Sequence, residues 1–332
     1  MRALSVTSAR PIEDRPLILI ELPAPIPGPG ELRLRVQACG LCRTDLHIIE
    51  GDLPLPTLPI VPGHQIVGTV DQVGEGVTHF QVGDRLGVPW LYSTCGRCAF
   101  CWRDQENLCD AARFTGYHVN GGYAEFVVAP ETSAYPLPTG ISSAHLAPLL
   151  CAGVIGFRAL RLSEVRPGER LGLYGFGGSA HITIQVAVHW GCEVYVFTRS
   201  EAHCALARQL GARWAGRVED DPPGLLDSAV IFAPVGRLVQ QALRVLRKGG
   251  TIALAGITMS PIPELDYALL YQERTVRSVA NSTRQDVRDL LRLAVDIPIR
   301  TEVRVFPFEE ANHALQLLKQ SRFSGAGVLA IS

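Results

Sequence analysis

Lysine is nearly absent from this chain: Lys248 and Lys319 are the only two among 31 basic residues. The rest are arginine, a bias that codon usage explains better than adaptation to heat, although Arg enrichment is reported in some thermophile families. Net charge is equally scarce. It is −1 over 332 residues, so there is no basic field to attract nucleic acid or a membrane surface. Long apolar runs are missing too. The longest, around 146–157, is broken by Pro148, Gly153 and Gly156, and a bilayer span needs about 20 residues. The opening MRALSVTSAR lacks the apolar core of a secretory signal and reads as a first strand. Neither internal repeats nor low-complexity segments occur. These absences predict a cytoplasmic protein with no membrane or nucleic-acid partner. A chain of this length, 47% hydrophobic and 19% charged, has material for about two cores, at roughly 100–200 residues per domain.

Cysteine is what the chain does have, nine in all. In a reducing compartment that number is better explained by metal than by disulfides. Cys95, Cys98, Cys101 and Cys109 fall in Cys-x2-Cys-x2-Cys-x7-Cys spacing. Four thiolates so close can close a tetrahedron around one Zn²⁺, a structural site with no open position. A second possible set is Cys42, His64 and Cys151. Three ligands without a fourth suit a zinc that keeps one position for water or substrate. Cys39 lies beside that set, and Cys192 and Cys204 read as core thiols in helix and strand patterns.

Residues 1–150 are rich in Gly and Pro, with short β-type runs at 32–38, 66–73 and 124–129 between turn signals. After about residue 155 strand and helix patterns alternate. Strands are expected at 171–174, 193–197, 228–233 and 251–255, and helices at 182–190, 201–210 and 237–246. Alternation of this kind predicts parallel strands with crossover helices. Helices at 285–295 and 309–319 and a strand at 327–331 close the chain.

Gly175-Phe176-Gly177-Gly178-Ser179-Ala180 follows the first of those strands and opens a helix, which fits G-x-G-x-x-G/A. Gly175 permits the tight turn, Gly177 lets a pyrophosphate approach the backbone, and Ala180 lets helix and strand pack closely. The helix N-terminus then offers N–H groups to phosphate. The second strand ends in Thr198-Arg199-Ser200 and not in the acidic residue that would bond the ribose 2′-OH of NAD. Hydroxyls and a guanidinium suit a 2′-phosphate, so NADP(H) is favoured, with NAD(H) the alternative.

Together, CGLCRTDLH (39–47), PGHQIVG (62–68), VGDRLGVPW (82–90), the four-cysteine run, LLCAG (149–153) and GFGGSA (175–180) resemble the zinc-containing medium-chain alcohol dehydrogenases. The nearest branch is the bacterial one described as cinnamyl alcohol dehydrogenase-like, and the resemblance covers essentially the whole chain. It implies an α/β architecture: a GroES-like β-rich catalytic domain over 1–150 and 286–332, and a Rossmann doubly wound parallel sheet over 151–285. It implies two zinc ions per subunit, one catalytic on Cys42, His64 and Cys151, and one structural on the four-cysteine lobe. By the same resemblance Thr44 bonds the substrate oxygen, and His47 ends a proton relay to solvent. Arg43 contacts the cofactor phosphate, and Asp45 supports His64 from behind. Trp90 and Leu53 line the substrate pocket, Leu53 leaving room for a substrate larger than ethanol. A homodimer or homotetramer is implied.

Two positions depart from the family pattern. Gln65 stands where Gly-His-Glu is usual, and Ala326 follows Gly325 where Arg is common. Losing one charge alone would strand the other in the interior, whereas losing both is much cheaper. Gln65 and Ala326 are therefore expected to form a linked neutral variant. The expected activity is hydride transfer between NADP(H) and a primary alcohol or aldehyde, aromatic or allylic substrates included. The alternatives are an NAD-dependent dehydrogenase of secondary alcohols and ketones, and a cofactor-binding protein of low turnover.

Overall fold

The computed structural model describes residues 1–54 and 57–331. Its contacts divide the chain into two compact units, one of residues 1–151, 283–296 and 301–332, the other of 152–282 and 297–300.

The first unit is built on a seven-stranded sheet. Its long strand, Glu31–Gly40, alternates buried Leu32, Leu34 and Val36 with residues facing outward, the period of a strand with one face on a core. Ile66–Val73 runs antiparallel to it along its length, Phe126–Pro130 pairs with its first half, and Ala326–Ala330 with its end. Val303–Pro307 lies parallel to Ala326–Ala330. The last residues of the chain thus complete a sheet begun by the first forty. Arg2–Val6 and Leu17–Glu21 form a separate antiparallel pair.

The second unit is a six-stranded sheet, parallel throughout. The strands lie in the order Trp214–Gly216, Glu193–Phe197, Arg170–Tyr174, Leu226–Ile231, Leu246–Leu254, Thr275–Ser278. Numbered within the unit this is 3-2-1-4-5-6, the Rossmann order. Its core includes Tyr174, Phe197, Ile231, Leu243 and Ile252. The helices Ala180–His189, Glu201–Gln209 and Arg237–Arg244 fall where the sequence places them, within two residues at each end.

Four differences from expectation stand out. The strands Trp214–Gly216 and Thr275–Ser278 carry no sequence signal strong enough to announce them. Ile297–Arg300 leaves the first unit for the second, because Gln185 Nε2 donates to the Arg300 carbonyl and its Oε1 accepts the Arg300 N–H, at 2.8 and 2.9 Å. The apolar run at 146–157 extends into helical turns from Ser143 to Ser163, long and apolar enough to cross a membrane, but 67% of that window is buried inside the fold, as in a core helix. Cys192 falls in the turn before Glu193–Phe197 and in neither a helix nor a strand; it and Cys204 are both buried.

Candidate active site

Cys42 closes the N-terminus of the helix Arg43–Glu50. Asp45, three residues on, accepts the Cys42 backbone N–H through Oδ2 at 2.8 Å, one half of a capping box. The other carboxylate oxygen, Oδ1, stands 3.0 Å from His64 Nδ1. Tyr123 donates its hydroxyl to Oδ2 at 3.2 Å. Asp45 and His64 are both wholly buried. The carboxylate therefore fixes the imidazole with its proton on Nδ1 and leaves Nε2 a free lone pair, a common arrangement behind a metal-binding histidine.

Nε2 is buried and has no hydrogen-bond partner in the structure, an expensive state unless a ligand satisfies it. Cys42 Sγ, Cys151 Sγ and the His64 nitrogen all lie within 4.8 Å of one another. The two sulfurs are 3.9 Å apart. Two thiolates at about 2.3 Å from one tetrahedral Zn²⁺ would stand about 3.8 Å apart, so the donor set fits the ion without rearrangement. The Cys42 thiol is drawn well below its ordinary range, first by its hydrogen bond with Cys151, while Cys151 is pushed well up by the same bond and by burial. Burial pulls His64 down, but the Asp45 carboxylate and Cys42 outweigh it and lift the ring to about 10, so the pocket favours a cation at Nε2, either a proton or the metal ion that would displace it. Negative charge dominates the pocket, as a cation site requires.

Thr44 is buried, its Oγ1 3.6 Å from Cys42 Sγ. His47, one turn further along the same helix, meets Asp52 Oδ2 through Nδ1 at 2.8 Å and is 22% exposed, which gives it access to solvent. Leu53 donates its N–H to the His47 carbonyl. Arg43 donates to Ser321 Oγ at 3.1 Å. Trp90 is buried and meets the His64 ring edge-on at 4.8 Å. Sequence reasoning missed what lies behind it: Phe114 and Tyr117 stack against Trp90 at 5.1 and 5.8 Å. It also missed Tyr123. The residue that could have pointed to Tyr123 is Gly63, whose φ of +97° and lack of Cβ make room for the tyrosine ring, 2.4 Å from where a Cβ would stand.

Cys95, Cys98, Cys101 and Cys109 form a second cluster, also within 4.8 Å. Cys98 and Cys95 lie 3.6 and 3.9 Å from Cys101, again the spacing of thiolates on one zinc. Cys95 is lowered to about 6, first by the backbone N–H of Arg97 and then by Cys109.

In the second unit the glycine-rich turn links Arg170–Tyr174 to the helix that starts at Ala180. It sits at the carboxyl ends of the central strands, where the strand order reverses. Gly175 has φ +88°, and a Cβ there would press on Ala233 at 3.1 Å. At Gly177 a Cβ would meet nothing within 4 Å: packing does not demand a glycine there, whereas a close-approaching ligand would. Gly178 and Ser179 complete the turn, and Ala180 is fully buried. Thr198, Arg199 and Ser200 follow the second strand. Arg199 is exposed and has no ion pair among the described residues. Ser200 Oγ accepts the His203 N–H at 3.4 Å and caps the helix Glu201–Gln209, so it is partly committed to the fold.

Comparison with known proteins agrees with this geometry. Residues 28–139 match the model for the alcohol dehydrogenase GroES-like domain, and 178–296 that for the zinc-binding dehydrogenase. A probable alcohol dehydrogenase AdhA of Mycobacterium tuberculosis is 48% identical over all of this chain and 97% of its own length. The chain belongs to the zinc-containing medium-chain alcohol dehydrogenases. An alcohol dehydrogenase of Geobacillus stearothermophilus is 36% identical over 96% of this chain and 97% of its own. Among solved structures, a cinnamyl alcohol dehydrogenase of Sorghum bicolor superposes with a TM-score of 0.90 at 26% identity, covering 98% of this chain and 97% of its own. A zinc medium-chain alcohol dehydrogenase is an NAD(P)-dependent enzyme, so the low-turnover binding alternative falls away.

Proposed function

We propose that this alcohol dehydrogenase is zinc-dependent, prefers NADP(H), and interconverts primary alcohols and aldehydes, aromatic or allylic ones included. The observation that carries the reading is the set Cys42, His64 and Cys151 with Asp45 behind it: three donors, a buried His64 Nε2 without a hydrogen-bond partner, and no fourth protein ligand among the described residues. These residues would hold the catalytic zinc, and Cys95, Cys98, Cys101 and Cys109 a structural one. When bound, zinc supplies Lewis-acid polarisation of the substrate oxygen, and the nicotinamide supplies or accepts the hydride.

The chain's own part is positioning and proton handling. Asp45 holds the His64 tautomer. Thr44 would relay rather than store the proton: its Oγ1 accepts the proton of an alcohol as it passes its own hydroxyl proton on toward His47, which exchanges it with solvent, and the same steps reversed protonate the alkoxide formed from an aldehyde. Trp90, stacked on Phe114 and Tyr117, gives a flat apolar wall suited to a planar substrate, with Leu53 as the second lining residue. Gly175, Gly177, Gly178, Ser179 and Ala180 would cradle the pyrophosphate, with Arg43 as a further phosphate contact. Thr198, Arg199 and Ser200 would hold the 2′-phosphate. Nine cysteines outside any disulfide fit a cytoplasmic protein, and a homodimer or homotetramer is what the family resemblance implies.

A second reading, an NAD-dependent dehydrogenase of secondary alcohols and ketones, draws on the capping role of Ser200. It also draws on an acetophenone reductase of Geotrichum candidum solved with NAD, which superposes with a TM-score of 0.90 at 25% identity. Initial rates of cinnamaldehyde and acetophenone reduction, with NADPH against NADH and with or without a zinc chelator, decide between the two. Chelator-sensitive turnover of cinnamaldehyde favouring NADPH is expected. A preference for NADH and the ketone would establish the second reading.

A further inference from the structure

The first unit holds a cavity about 920 Å³ in volume, within the size range of small-molecule sites. No metal ligand and none of the residues assigned above to substrate, relay or cofactor lines it. One wall is the helix Arg284–Asp296, which presents Arg284, Arg288 and Arg292 to the cavity together with Leu291 and Val295. The facing segment contributes Tyr135 and Leu137.

The arginines recur every four residues, so they share one helix face, where like charges repel and weaken the helix. The chain does little to neutralise them. Arg284 donates to Thr94 Oγ1 at 3.3 and 3.4 Å and stands 3.8 Å from Glu106, but its buried Nε has no partner. Arg288, exposed at the cavity mouth like Arg292, reaches only Gln285 Oε1 among the described residues, at 3.5 Å. Arg292 has no hydrogen bond or ion pair among the described residues. The acids nearby are engaged elsewhere. Glu131, the one carboxylate among the described residues that line the cavity, accepts from the N–H groups of Thr78 and His79 and meets the His79 ring. Asp286 accepts from Thr283, and Asp289 from Gln285. Burial pushes the Tyr135 phenol up to about 12 against the pull of Arg284 and Arg288, so it keeps its proton and can donate.

We infer that this cavity binds a small anionic amphiphile, with a phosphate or carboxylate head on Arg288 and Arg292 and an apolar tail along Leu137, Leu291 and Val295. Forked guanidiniums one turn apart suit such a head, and the apolar lining beside them suits a chain of several methylenes.

Octyl phosphate and octanoate, titrated calorimetrically into the zinc-replete enzyme, test this, and the tighter of the two tells a phosphate head from a carboxylate. Saturable binding of one molecule per chain is expected. It should weaken at least tenfold in R288Q/R292Q and about threefold in V295S, with kcat and KM for cinnamaldehyde changed less than twofold in either variant. Undiminished binding in R288Q/R292Q, displacement of the probe by cinnamaldehyde, or no binding of either probe would each overturn the proposal.

Discussion

Asp45 serves three groups at once: the Cys42 N–H, the His64 ring and the Tyr123 hydroxyl. Asp45→Asn keeps the shape but removes the charge that makes His64 a strong donor. Zinc affinity at the Cys42 site should fall roughly 10- to 100-fold, read by competition with a chromogenic chelator. Gln65 is the second test at this scale. Its Oε1 is buried without a partner, and its side chain packs 2.9 Å from where a Cβ on Gly40 would stand. Ala326 belongs to the strand next to Gly40: Val328, two residues on, pairs with Gly40, and the Gly327 carbonyl accepts the Leu41 N–H at 2.8 Å. Gln65→Glu alone should therefore destabilise the protein by about 3 kcal/mol, the cost of an unpaired buried charge, with Ala326→Arg restoring part of it in a double-mutant cycle. A Q65E variant that raised turnover by orders of magnitude without loss of folding would refute the neutral-variant reading. Soft ligands were the legible residues, because their spacing carries the coordination chemistry. Thr44 and Asp45 could be assigned only through resemblance to a family, since a lone hydroxyl or carboxylate in a helix has no distinguishing pattern. Tyr117 and Tyr123 went unseen because their role depends on contacts across the fold.

Among the secondary-structure elements, the Gly-rich turn separates two reasons for a glycine. Gly175→Ala should lower the melting temperature, since its φ is positive and Ala233 crowds it. Gly177→Ala should leave the melting temperature within a degree or so but raise the KM for NADPH severalfold, because its Cβ would enter open space that the pyrophosphate is proposed to use. Thermal melts and initial rates on the two variants check this; equal effects on both measures would remove the phosphate assignment. Long periodic elements were legible here, as in the helix Arg284–Asp296, whose buried Val287, Leu290, Leu291 and Ala294 recur at helical spacing. Trp214–Gly216 was not, because three residues hold no period. Thr275–Ser278 was not, because an edge strand with no buried residue shows no alternation. Leu246–Leu254 was expected only from Thr251, because Lys248, Gly249 and Gly250 interrupt the apolar pattern, and Gly249 has φ +68°.

In the molecule as a whole, stability should depend on acid through His181. It is fully buried behind the dinucleotide turn, and burial lowers its pKa to about 4. The unfolded chain takes up that proton near pH 6.5, while the native ring stays neutral. The contribution is thus intact above pH 6.5 and is lost progressively as pH falls toward 4, by up to about 3 kcal/mol. Melting temperature plotted against pH over that window should slope less in His181→Gln than in the parent. The sheet topology has a consequence for synthesis. Ala326–Ala330 is the neighbour of the strand that leads into Cys42, yet some 280 residues separate the two in translation. Ribosomes deliver about 5–20 residues per second, so Cys42 emerges tens of seconds before the strand that flanks it. Through that interval the nascent chain presents thiols beside an unpaired sheet edge, and early capture of zinc by Cys42, His64 and Cys151 would guard them against oxidation until the last strand docks.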